Sequence, residues 1–296
     1  MTRRFTQLAW SAAVCTYLLI VLGGVVRITG SGLGCGDHWP LCNGHLFPPL
    51  NDIGTVIEWS HRLAAALVSA LVISLAAYAL WLSQRADVPT SRRATRSSLV
   101  ALGLLVVQVF LGAITVKLEL PAWTVILHLG TAMLLLATLL STAVGSLPDF
   151  QPRSVLLISL TFVTVLLGAL TANLGAAAAC HGFPLCNGQA WITAGPLALV
   201  QWVHRLVAYS LAITVTVWVV RTRSRVAFIV LGLIALQVSI GAGIVLLGLP
   251  TVLQVAHVAV GTAVWATVVL AALLGQLAPA ARTSEPHRVL NGARAQ

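Results

Sequence analysis

The chain has 296 residues, of which 58% are hydrophobic and 8% charged, with a formal net charge of +10. A water-soluble domain of this size covers its surface with far more charge, so composition excludes an ordinary soluble globular protein. The basic residues are scattered over short connections with no aromatic stacking platform, which excludes a nucleic-acid surface.

Eight apolar runs follow in chain order, at 8–28, 54–82, 97–116, 123–147, 155–175, 196–220, 226–247 and 252–277. As a helix, each is long enough to cross about 30 Å of hydrocarbon at about 1.5 Å per residue. Backbone polar groups in lipid must be paired within the segment, so runs this apolar predict helices, and the short alternating strands of a barrel do not occur. Arg3 and Arg4 precede the first run, as they would in a signal peptide. The run is too long for an h-region and no small-residue cleavage site follows, so it is expected to remain as a span.

Alternate connections carry Arg3 and Arg4; Arg85, Arg92, Arg93 and Arg96; Arg153; Arg221, Arg223 and Arg225; and Arg282, Arg288 and Arg294, which are 13 of the 17 basic residues. The positive-inside rule then puts both termini in the cytoplasm. Arg27, Arg62, Lys117 and Arg205 break the pattern near the outer ends of spans. There they either snorkel to the headgroups or meet an anionic group of a ligand.

The chain repeats itself. EWSHRLAA at 58–65 answers QWVHRLVA at 201–208, and PLCNG occurs at 40–44 and 184–188. QVFLGAITVKLELP at 108–121 answers QVSIGAGIVLLGLP at 237–250, and in both copies a histidine stands seven residues past the final proline, His128 and His257. Four spans per copy give both copies the same orientation, hence a parallel repeat about an axis near the membrane normal. The expected fold is an all-α integral membrane protein, its eight transmembrane helices forming two tandem four-helix bundles related by pseudo-two-fold symmetry. The expected units are a half at 1–150, a half at 151–280 and a polar, disordered cytoplasmic tail at 281–296.

Cys15 lies within the first span and reads as a small packing residue. Cys35 and Cys42, and Cys180 and Cys186, fall in loops on the outer side, where disulfides persist. Zinc is the rival reading, because His38, His45 and His181 are near, but the spacings are wider than CxxC. The expected pairs are Cys35–Cys42 and Cys180–Cys186.

Four histidines, His61, His128, His204 and His257, lie inside spans. An ionisable residue there is costly and points to function. All four fall about 10 Å below the outer end by helical rise. They occupy the second and fourth helix of each half, diagonal neighbours in an up-down bundle, about 12–14 Å apart between axes. That gap is wide for a bare ion and suits a macrocycle ligated from both faces, as imidazole ligates haem iron. Arg62 and Arg205, each next to a histidine, are candidate partners for haem propionates. Glu58 lies one turn before His61, whereas its counterpart is Gln201. A carboxylate there either handles protons beside the first haem or, more simply, is hydrated or orients His61.

Together these features resemble the haem A synthase family. The likeness rests on eight spans, the duplication, EWSH at 58–61, paired outer-loop cysteines, a histidine on each even span, GGVVRITGSGLGC at 23–35 and NGHLFPP at 43–49. The resemblance implies a bacterial plasma-membrane enzyme. Haem O would bind near His61 and His128, a haem b cofactor on His204 and His257, and Glu58 would serve the oxidation. Two hydroxylations of a methyl group, then loss of water from the gem-diol, would give haem A for a terminal oxidase. Implied partners are haem O, the lipid bilayer, an unidentified electron donor, and haem O synthase or oxidase assembly factors. A di-haem b-type carrier linked to quinol accounts for the histidines equally well but gives no role to the Glu58/Gln201 difference. A transporter would need broken helices at mid-membrane.

Overall fold

The computed structural model describes residues 2–37, 39–49, 51–85, 92–147, 151–190, 195–275 and 277. The expected tail at 281–296, His38 and part of the link between the halves lie outside the described residues. The described chain is helical: α1 Arg3–Ile28, α2 Ile53–Ser83, α3 Arg92–Lys117, α4 Ala122–Val144, α5 Pro152–Asn173, α6 Pro196–Thr222, α7 Arg225–Leu246 and α8 Thr251–Leu273, with one 3-10 turn at Ala176–Ala178. All eight long helices are apolar enough and long enough to span a bilayer, which makes this a multi-pass membrane protein.

Helix ends follow local chemistry more closely than hydropathy. Thr2 caps α1 by accepting the Phe5 N–H, Asp52 caps α2 by accepting from Thr55, and Ser224 caps α7 by accepting from Ala227. Pro152 and Pro196 open α5 and α6, where a missing N–H costs nothing. The first and third spans begin five residues before the apolar runs do, because caps and first turns are polar. The fourth stops at Val144 rather than at 147, because Gly145 turns left-handed (φ 76°) and its N–H returns to the Ser141 carbonyl.

The helices pack as two closed rings. In one, α1 meets α2, α2 meets α3, α3 meets α4 and α4 returns to α1. In the other, α5, α6, α7 and α8 do the same. Within each ring the diagonal pairs α2/α4 and α6/α8 form no packed interface. The rings join through α1 with α8, α4 with α5, α4 with α8 and α5 with α8 closing the second ring beside them. Trp265 on α8 donates its indole N–H to the Met133 carbonyl on α4 at 2.9 Å, and Tyr17 on α1 donates to the Ala259 carbonyl on α8 at 3.0 Å. Large side chains such as Phe110, Ile213, Val220 and Phe228 face outward, as expected when the solvent is lipid.

Candidate functional site

Both disulfides are formed, Cys35–Cys42 and Cys180–Cys186, at one end of the molecule. The cysteines are therefore staples and not zinc ligands, and among the described residues no group of three His, Cys, Asp or Glu could hold a metal ion. The repeated PLCNG explains the loop shape. Cys42 and His45 exchange both backbone hydrogen bonds at 2.9 Å across Asn43–Gly44, whose φ values are 50° and 80°. Positive φ at both central residues is the two-residue hairpin turn that Asn-Gly favours. Asn187–Gly188 repeat it, with φ of 53° and 74°.

Beneath the loops lie the four histidines. His61 and His204 are eight residues into α2 and α6; His128 and His257 are six residues into α4 and α8. Helical rise puts them about 9–12 Å from the loop end. His61 and His128 stand on the α2/α4 diagonal of the first ring, and His204 and His257 on the α6/α8 diagonal of the second. Each pair thus spans a diagonal where the helices themselves do not pack.

Four glycines hold the rings in place. A Cβ on Gly23, Gly112, Gly168 or Gly241 would lie 3.1–3.2 Å from Cε1 of His61, His128, His204 or His257, respectively. Each histidine on an even helix therefore lies flush against a glycine of the preceding odd helix. The carbonyl one turn before the glycine approaches His128 (Gln108), His204 (Thr164) and His257 (Gln237), short of a formed hydrogen bond. All four Nδ1 atoms are sealed from solvent without a partner, although the residues are only half-buried. The open part of each ring is thus its other side, which leaves Nε2 as the nitrogen for a metal. An Nδ1–H directed at a carbonyl is the usual way a ligand imidazole is oriented. The side-chain Oε1 atoms of Gln108 and Gln237, at matched positions, are also buried and unpartnered.

Glu58 is 3% exposed and fully engaged. One carboxylate oxygen accepts the Cys35 backbone N–H at 2.7 Å; the other accepts from Arg62 Nε at 3.1 Å and from Nη2. Gln201, 4% exposed, accepts the Cys180 N–H at 2.8 Å in the same manner. The two positions therefore share a structural task, tying a disulfide loop to the helix below, and differ in charge. Arg62 also donates to the Leu41 carbonyl at 2.6 Å. Arg205 donates to the carbonyls of Gly182 at 3.0 Å, Leu185 at 2.8 Å and Cys180 at 3.3 Å. Both arginines serve the loops in this structure. Arg27 bonds across the ring boundary to the Asn173 side chain at 3.1 Å and to the Ala172 carbonyl, and Lys117 lies 3.9 Å from Asp37.

A membrane protein with paired imidazoles on the diagonals of two helical rings, under disulfide-stapled loops, is the class that fold and site define. The profile of one family, COX15-CtaA, described as cytochrome oxidase assembly protein, matches residues 6–55 and 51–269. Among similar proteins is the "Heme A synthase" of Symbiobacterium thermophilum, 40% identical over 86% of this chain and 90% of its own length. That of Shouchella clausii is 32% identical over 76% and 79%, and that of Alkalihalophilus pseudofirmus 30% over 76% and 78%. The chain belongs to this family, that of the haem A synthases.

Proposed function

We infer that the protein is a haem A synthase, which oxidises a methyl group of haem O to a formyl group. Two successive hydroxylations give a gem-diol, which loses water to leave the aldehyde of haem A, the haem of a terminal oxidase. The observation that carries this reading is the pair of imidazoles on each unpacked diagonal, in a chain of this family.

Haem O is assigned to His61 and His128 in the half at 1–150, and a haem b cofactor to His204 and His257 in the half at 151–280. The residues fit such a group. Each site offers two nitrogen donors across a gap between helices, each ring held by a glycine and by a sealed Nδ1, and among the described residues no third ligand of the sort a bare zinc ion would need. Bound haem iron supplies one-electron redox chemistry.

The protein's own part is positioning and proton handling. The glycines fix the imidazole planes, and the stapled loops cap the outer ends of both sites. Hydroxylation of a methyl group is coupled to proton transfer, and Glu58 is the carboxylate placed to hold or move a proton there. Arg62 balances its charge, which offsets the cost of burying it. Gln201 cannot take a proton, so chemistry belongs to the first half and electron supply to the second. The halves are related by a pseudo-two-fold axis. Both termini face the cytoplasm, with the disulfide loops outside, as the distribution of arginines requires. An electron donor and a haem-delivering partner, haem O synthase or an oxidase assembly factor, complete the system.

The test is to supply purified protein in bilayer discs with haem O, dissolved dioxygen as the oxidant and a reductant, and to follow the pigment by mass spectrometry. Haem A is the expected product; haem O recovered unchanged under conditions where a related synthase converts it would refute the assignment.

A further inference from the structure

Arg27 stands on α1 one turn beyond Gly23, the glycine that lies against His61. Its side chain nevertheless leaves the first ring. Nε donates to the Asn173 side-chain oxygen at 3.1 Å and Nη2 to the Ala172 carbonyl, both in the last turn of α5. Ala172 is itself one turn beyond Gly168, the glycine that lies against His204. On the side of α8, a Cβ on Gly24 would lie 2.9 Å from Val258, the residue after His257. The guanidinium of a first-half residue therefore reaches the loop-side rim of the second-half site, about 6 Å beyond Gly168 by helical rise. We propose that Arg27 completes the second-half site, as a cation that meets the carboxylate side chains of the haem held there.

Three observations carry this assignment. First, Arg27 is a half-buried charge without a counter-ion. Both of its acceptors are neutral, and among the described residues no carboxylate pairs with it and Nη1 has no partner. A cation so placed at the end of a span is costly unless an anion joins it, and a guanidinium fork matches a carboxylate. Second, positive charge is left uncompensated at the second site and not at the first. Arg205, beside His204, also donates to carbonyls and to no carboxylate among the described residues. In the first half Arg62 is paired with Glu58, and Lys117 lies 3.9 Å from Asp37. Third, the repeat is broken at this position. GGVVR at 23–27 answers GALTA at 168–172, so Ala172 stands where Arg27 does and returns no cation to the first half.

A haem carries two carboxylates, so a rim with unpaired guanidinium groups holds a resident haem more firmly than a rim whose cations are already neutralised. The division of charge thus deepens the division of roles, a permanent haem in the second half and an exchanging one in the first. The inference rests on the assignment of a haem to His204 and His257, not on the oxidation.

The experiment uses the full chain carrying His61→Ala, so that the second-half haem is observed by itself. Transfer of haem to apomyoglobin gives its release rate, and a redox titration of the low-spin band gives its potential. Arg27→Gln should release haem about tenfold faster and lower the midpoint by about 59 mV, the one-electron equivalent of a tenfold change, because a nearby cation favours the reduced haem. Arg27→Lys, which keeps the charge but not the fork, should restore the potential. Arg85→Gln, whose guanidinium lies 3.9 Å from the Trp81 ring centre, should change neither. Unaltered release and potential in Arg27→Gln, or the same fall in potential in Arg27→Lys, would overturn the proposal. Should Arg27→Gln fail to fold, the chain with Arg27 intact decides: iron protoporphyrin dimethyl ester, which has no free carboxylate, should be retained at least tenfold less than the diacid, and equal retention counts against Arg27. Absence of any haem would refute the haem assignment as well, whereas a haem indifferent to Arg27 refutes this inference alone.

Discussion

The backbone N–H of Cys35 donates to the Glu58 carboxylate at 2.7 Å, so the residue assigned to proton handling also tethers the disulfide loop above it. The equivalent bond from Cys180 to Gln201 demonstrates that a carboxamide does the tethering as well. The two tasks can therefore be separated by substitution.

Glu58→Gln should retain the tether and the fold, with a melting temperature close to that of the parent, while formyl formation drops by about 10²–10⁴-fold, the usual worth of a positioned acid–base group. Glu58→Ala should in addition lose about 1–3 kcal/mol, because the Cys35 N–H is left without its acceptor and Arg62 loses its carboxylate partner. Thermal unfolding in detergent, read beside product mass, separates the two effects. Normal haem A output from Glu58→Gln would reduce Glu58 to a loop anchor.

The glycine cradles make a second prediction. A methyl group on Gly168 or Gly241 would press on the ring of His204 or His257. Gly168→Ala and Gly241→Ala should shift the Soret maximum and the low-spin EPR signal of the second-half haem and weaken its retention several-fold. Gly103 and Gly232 have no heavy atom within 4 Å of an added Cβ. Alanine there should leave the spectra unchanged and, if anything, firm the helix by about 0.5–1 kcal/mol. Indistinguishable spectra across all four variants would mean that the rings are positioned by something else.

Cysteine chemistry supplies a third. Alkylation of the denatured chain without reductant should label Cys15 alone, and reductant should then expose the other four. Peptide mass mapping gives the answer directly, and labelling of Cys35 or Cys180 before reduction would contradict the stapled loops.

The joint between the rings supplies a fourth. Trp265 is 2% exposed, donates to Met133 and packs on Phe162 with centroids 5.4 Å apart. Trp265→Ala should cost about 3–5 kcal/mol, and Tyr17→Phe, which removes one hydrogen bond, about 1 kcal/mol. Melting temperatures of the two variants rank them, and a Tyr17→Phe loss as large as that of Trp265→Ala would place the joint elsewhere.

Much of this architecture is written in hydropathy and repetition. Eight spans follow from apolar runs, and the two staples from cysteines in repeated loops. The depth of the histidines follows from their distance to the proline or glycine that opens each helix. The glycine cradles were present in the same repeats, since Gly112 and Gly241 stand at matching places in QVFLGA and QVSIGA. They are not legible as cradles there, because a glycine in an apolar span signals close approach without naming what approaches. The loop contacts of Arg62 and Arg205 are not encoded locally for another reason. Snorkelling and propionate pairing both suppose that a side chain near the outer end meets something outside the protein. Here the acceptors are loop carbonyls some 20 residues away in sequence, and no local pattern encodes such a contact. Helix ends moved by a few residues wherever a cap, not apolarity, decided the matter, as at Thr2 and Gly145.

The central claim is that each diagonal pair of imidazoles holds a different haem. Pigments extracted from protein made with a haem O supply should therefore be compared by chromatography for the parent, His61→Ala and His204→Ala. The account predicts haem b together with haem O or haem A in the parent, loss of haem O and haem A alone in His61→Ala, and loss of haem b alone in His204→Ala. Haem b as the sole pigment of the parent, depleted equally by either substitution, would contradict it and leave a two-haem electron carrier.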